Sequence, residues 1–130
     1  MDNDLTLEWL RFANMDLDAA QVLFRHRPQH LEIICYHCQQ AAEKFLKSFL
    51  VSRGMEDVPK THNLSQLCML CMSHNNRFAE IMKPCSALTP YGVQPRYPDE
   101  IHLDESLVQK ALAYAQEIKS FIEKTLEENT

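Results

Sequence analysis

The chain has 130 residues, 45% of them apolar, enough for one domain with a core of its own. Its formal net charge is −5, which argues against a broad nucleic-acid surface, since such a surface needs many Lys and Arg to displace counterions. Only two glycines are present and no run approaches ~18 apolar residues, so the composition favours helices and excludes a transmembrane one.

Met1-Asp2-Asn3-Asp4-Leu5 lacks the basic and then apolar regions of a signal peptide, so a cytoplasmic chain is expected. Leu7, Leu10, Phe12/Ala13, Leu17, Ala20 and Leu23/Phe24 recur at helical spacing, with Asp4 or Thr6 as the cap. This helix should end near His26-Arg27-Pro28, and Trp9 and Phe12 read as packing residues. A second helix is expected from about Leu31 to Arg53, closed by Gly54. It looks central: Ile34, Cys38, Ala41, Phe45 and Ser48/Phe49 form an apolar face, and Ala41 and Ala42 would admit a close neighbour. Gln39, Gln40, Glu43, Lys44 and Lys47 form its polar face, on which an exposed Glu43–Lys47 pair would add ~0.3 kcal/mol.

Asn63 is the expected N-cap of a third helix, with Gln66 at its third position. Phe78, Ile81 and Met82 suggest more helix, and Pro84 suits a helix start. Pro90, Gly92, Pro95 and Pro98 predict a stiff irregular loop from Tyr91 to Asp99. A last helix begins near Asp104, its N-cap, with a stripe of Val108, Ala111, Ala115, Ile118 and Ile122. The expected fold is all-α, an up-and-down bundle of four or five helices.

Two Cys-x-x-Cys pairs, Cys35/Cys38 and Cys68/Cys71, invite a zinc reading. Zinc ribbons place such pairs on turns about 15–20 residues apart. Here they lie within helical stretches, at apolar positions, and read instead as small buried hydrophobes, as does Cys85; no metal and no cofactor is expected. The loop Arg96-Tyr97-Pro98-Asp99-Glu100-Ile101-His102 carries more chemistry. Arg clamps a phosphate bidentately and His moves protons near neutral pH. Together they could support attack of a ribose 2′-hydroxyl on its neighbouring phosphate. Fully extended, six steps would separate Arg96 and His102 by ~19 Å, so the loop must turn or the two must meet across a dimer. The alternative reading pairs Arg96 with a carboxylate and leaves His102 solvated. Among the other histidines none forms a His-x-x-x-His pair within a helix. His62 stands out, because Lys60-Thr61-His62 could face the central helix near Glu43.

The run His37-Cys38-Gln39-Gln40-Ala41-Ala42-Glu43-Lys44-Phe45-Leu46-Lys47, then Thr61-His62-Asn63-Leu64, then Arg96-Tyr97-Pro98, resembles the HEPN (higher eukaryotes and prokaryotes nucleotide-binding) domain family in order and spacing. The resemblance spans about Leu5 to Leu126. It implies a helical bundle, a homodimer, and a nucleotidyltransferase antitoxin as partner. It also implies binding of a nucleotide or of RNA, or a metal-independent endoribonuclease site at the dimer interface, an Arg followed by four to six residues and a His. Arg96 and His102 fit that pattern. Carried over, Arg96 would stabilise phosphate charge and His102 would handle the proton, with Tyr97, Asp99, Glu43, Lys47 and His62 supporting or binding the nucleotide. Three readings are open: a nucleotide- or RNA-phosphate-binding half of a toxin–antitoxin pair, a ribonuclease toxin, and an interaction module without a ligand.

Overall fold

The computed structural model describes residues 3–92 and 103–128. Among them are five α-helices: α1 (Asn3–His26), α2 (Leu31–Ser52), α3 (Leu64–Met72), α4 (Met82–Leu88) and α5 (Glu105–Glu128). Two short 3-10 helices, Asn76–Ile81 and Thr89–Gly92, bracket α4, and no strand is present among the described residues. The all-α expectation holds.

α2 is the axis of the bundle. The short connection after His26 folds it back along α1, and α3, α4 and α5 also pack on it. Small residues permit this crowding: Ala41 and Ala42 of α2, Ala13 and Ala20 of α1, and Ala111 and Ala115 of α5 are all buried. Phe45, Leu46, Phe49 and Leu50 fill the centre with Phe78 and Ile122. Phe78 bridges Phe49 and Phe121, with ring centroids 4.5 and 4.9 Å apart.

The expected helix ends are where local chemistry puts them. α2 closes on Gly54 at φ +89°, where Met55 N donates to Leu50 O and Gly54 N to Val51 O. That is the six-to-one and five-to-two pattern of a Schellman ending. Asn63 caps α3, its Oδ1 accepting from Gln66 N at 3.1 Å. Asp104 does the same for α5, accepting from Leu107 N at 2.8 Å.

Four expectations need correction. α1 is already helical at Asn3, so neither expected cap lies outside it: Asp4 is in its first turn and Thr6 is a buried residue inside the helix. Phe12 was expected to pack, and Leu7 belongs to the same apolar spacing; both are exposed, apart from the buried Thr6, Ala13, Leu17 and Ala20 of α1. Tyr91 and Gly92 complete a 3-10 turn instead of opening the loop. Pro84 is the third residue of α4, still in the first turn, where a missing N–H costs no helical bond. Most of the predicted loop, including Arg96, Tyr97, Asp99 and His102, lies outside the described residues. No helix among the described residues is long and apolar enough to cross a membrane.

Candidate functional site

The polar face of α2 is not a solvated face. Gln39, Glu43 and Lys47, spaced four apart, form a ridge along one side of the helix and are all buried. The Glu43 carboxylate holds the ridge together. Its Oε2 accepts from Lys47 Nζ at 2.9 Å. Its Oε1 accepts from His62 Nδ1 at 2.8 Å and, more weakly, from Gln39 Nε2 at 3.4 Å. Gln39 Nε2 also donates to the backbone carbonyl of His62 at 2.8 Å, while its Oε1 accepts from Gln40 Nε2 at 2.7 Å. No buried side-chain N or O among the described residues lacks a partner. That matters here, because an unpaired buried charge is far costlier than a paired one.

His62 is where this network meets solvent. Its side chain is 63% exposed, against 7% for Glu43. A carboxylate can only accept, so Nδ1 must carry hydrogen and Nε2 is turned over to solvent or a ligand. The loop before α3 fixes the residue locally: Asn63 N donates to Thr61 Oγ1, and the Asn63 cap anchors the start of α3. Of the residues singled out from the sequence, Glu43, Lys47 and His62 come together.

Two features border the network. Lys47 Nζ lies 5.8 Å from the centroid of the Trp9 ring. A groove of about 330 Å³ opens beside it, lined by Leu5, Trp9, Lys47, Val51, Glu56, Asp57, Val58 and Lys60. Gly92 sits against Gln39: a Cβ there would come within 2.8 Å of Nε2. The 3-10 turn that follows α4 therefore ends, at Gly92, against the network.

A second polar cluster has no counterpart in the sequence reading. Asp16 of α1 accepts from His37 Nδ1 at 3.0 Å and from Lys44 Nζ. Burial works to raise the Asp16 carboxyl; the hydrogen bonds from His37 and Lys44, with the Lys44 charge, outweigh it and hold the pKa below the usual carboxylate value. The clue in the sequence is that His37 and Lys44 lie seven apart, on one helix face.

The Cys-x-x-Cys pairs belong to the core. All five cysteines are buried and free. Cys68 Sγ donates to Phe78 O and Cys71 Sγ to Leu46 O, at 3.3 and 3.8 Å. Burial, with a smaller push from Glu32, raises the Cys35 thiol to about 12. Among the described residues no three His, Cys, Asp or Glu side chains are grouped as metal ligands.

With this geometry in view, the comparisons are specific. The sequence profile of the HEPN domain family matches residues 6–125, and the chain belongs to that family. In solved structures it is similar to TT1696 from Thermus thermophilus, at 25% identity and a TM-score of 0.78. It is also similar in fold to ST0689, an archaeal HEPN homologue, at 24% identity and a TM-score of 0.71. Each alignment covers 92% of this chain and 96% of the other. No curated protein matches the chain.

Two predictions come from this site. Gly92→Ala should cost about 1–3 kcal/mol in urea unfolding, because the buried Gln39 amide cannot swing away without breaking its bonds. In a Gln39→Ala background the same change should cost less than half as much; equal costs would mean that Gly92 and Gln39 are not coupled. Asp16 has a lowered pKa in the folded state. Its contribution is therefore present above the unfolded value near ~3.9 and is lost as pH falls through the folded one. Asp16→Asn should make the loss of stability below about pH 4 shallower, as measured by denaturant midpoints across pH.

Proposed function

We propose that this HEPN-domain protein binds a nucleotide or an RNA phosphate at the outer end of the Glu43 network, and serves as the HEPN half of a toxin–antitoxin pair with a minimal nucleotidyltransferase. The observation that carries the binding reading is His62: its Nδ1 is fixed by a buried carboxylate, its ring is open to solvent, and Lys60 lies two residues away. A ring held in this way presents Nε2 in a set direction, which suits an anionic oxygen when the ring is charged. Gly92 adds support. It starts the segment leading to Arg96, and four residues of chain reach at most about 14 Å. Family membership and the Arg-Tyr-Pro sequence support the toxin–antitoxin setting.

A second reading rests on the spacing of Arg96 and His102, with five residues between them: a metal-independent endoribonuclease in which Arg96 stabilises phosphate charge and His102 transfers the proton.

Calorimetry with ATP and GTP tests the first reading. Wild type should give a saturable heat, and His62→Ala and Arg96→Ala should each weaken binding by about tenfold or more. No heat at millimolar nucleotide would favour an interaction module instead. Incubation with RNA in EDTA tests the second. Cleavage that is lost in both His102→Ala and Arg96→Ala would support it, whereas intact RNA, or a His102 variant that cuts as well as wild type, removes it.

A further inference from the structure

α3 and α4 meet along a seam of small side chains. Leu64 N donates to Thr89 Oγ1 at 3.2 Å, and Ser65 Oγ lies 2.9 Å from Ser86 Oγ. The two helices run antiparallel in this contact. Four residues on from Leu64 and four back from Thr89, the seam therefore brings Cys68 opposite Cys85. Both are fully buried. The Cys85 S–H is directed at the Cys68 sulfur, and Cys68 Sγ in turn donates to Phe78 O at 3.3 Å. The bond from Cys85 holds the Cys68 thiol below its ordinary pKa against the opposing effect of burial; the same bond, with burial, pushes the Cys85 thiol up.

We propose that Cys68 and Cys85 are a redox pair, converted by a peroxide into a disulfide that joins α3 to α4. The other thiols are placed for no such bond. Cys35 and Cys38, like Cys68 and Cys71, lie three apart on one continuous helix. Cβ atoms at that spacing are ~5–6 Å apart, whereas a disulfide needs ~3.5–4.5 Å. Cys71 Sγ is directed instead at Leu46 O of α2. The conspicuous Cys-x-x-Cys spacing is thus not what pairs the thiols. The partner of Cys68 is the odd cysteine, brought to it by the packing of α4.

Hydrogen peroxide is the oxidant. The Cys68 thiolate attacks one peroxide oxygen and the O–O bond breaks. Cys68 becomes a sulfenic acid, and the other oxygen leaves as water after taking up the thiol proton. The Cys85 sulfur then attacks Cys68 Sγ. The S–S bond forms, the S–O bond breaks, and the hydroxide leaves with the Cys85 proton as a second water. In sum, two thiols lose two hydrogens and two electrons, and one peroxide becomes two waters. Because both sulfurs are buried, the first step waits on a local opening of α3 or α4. The second follows as the helices close again and bring Cys85 back to Cys68. The bond then fastens α3, the helix that begins directly after His62 and its cap Asn63.

The test adds hydrogen peroxide to the reduced whole chain in native buffer, alkylates the remaining thiols in urea, and reads the peptides by mass spectrometry without reduction. Two of the five thiols should be lost. One linked peptide should carry Cys68 and Cys85 and be lighter by two hydrogens. The urea midpoint of the oxidised chain should rise by about 1–2 M and return to its starting value with dithiothreitol. Cys85→Ala should form no intrachain link; the wild-type peptide map decides the matter even where that variant fails to fold. Five thiols still free after oxidation overturn the proposal. So does a link through Cys35, Cys38 or Cys71. So does a linked chain whose midpoint falls, since the two sulfurs would then not meet in the native packing.

Discussion

The carboxylate of Glu43 is the constraint on which the rest of this molecule turns. It lies inside the bundle, where a lone charge would be untenable, and three donors meet it there: an ammonium, an imidazole N–H and an amide. Those donors come from two places. Lys47 and Gln39 lie on the same helix, while His62 arrives from the segment before α3. One buried charge thus ties a loop to the central helix, and removing a single partner from such a pair typically costs about 3–5 kcal/mol. The arrangement makes little sense as a source of stability alone, since apolar residues would fill the same space at no electrostatic cost. It makes sense as a means of setting the position of His62.

The remaining features near His62 stem from the same crowding. Gly92 is where it is because Gln39 leaves no room for a side chain. Trp9 reaches across from α1 to cover Lys47, so the first helix shields the network on one side while the start of the segment toward Arg96 covers it on another. Membership of the HEPN family and the likeness to TT1696 extend over nearly the whole chain, so the network is embedded in the family's own fold rather than added to it.

Much of the fold was legible in the sequence because its signals are local. Asn63, Asp104 and Gly54 act on atoms within a few residues of themselves, and each cap or ending forms as its residue type dictates. The site was legible only in part. Glu43, Lys47 and His62 could be placed near one another, but the ridge of Gln39, Glu43 and Lys47 read as solvent-facing. A helix with neighbours on nearly every side has no outer face, and that comes from packing rather than from periodicity. Phe12 misled for the converse reason: apolar residues at helical spacing do not by themselves say which of them face a neighbouring helix, and Phe12 lies on the exposed side of α1. Asp16 was missed because its partners His37 and Lys44 are more than twenty positions away. Arg96, Tyr97, Asp99 and His102 stand on sequence alone.

The five cysteines have a consequence of a different kind. All are sealed in the core, two of them capped by backbone carbonyls, and the Cys35 thiol is held well away from its reactive thiolate form. They are also spread over α2, α3 and α4. An electrophile added to the folded chain therefore has no thiol to attack until some part of the bundle opens. The positions that become alkylated first, read by mass spectrometry over time, would map which helix loosens first. The native sequence thus carries its own set of opening reporters, with no label or substitution needed.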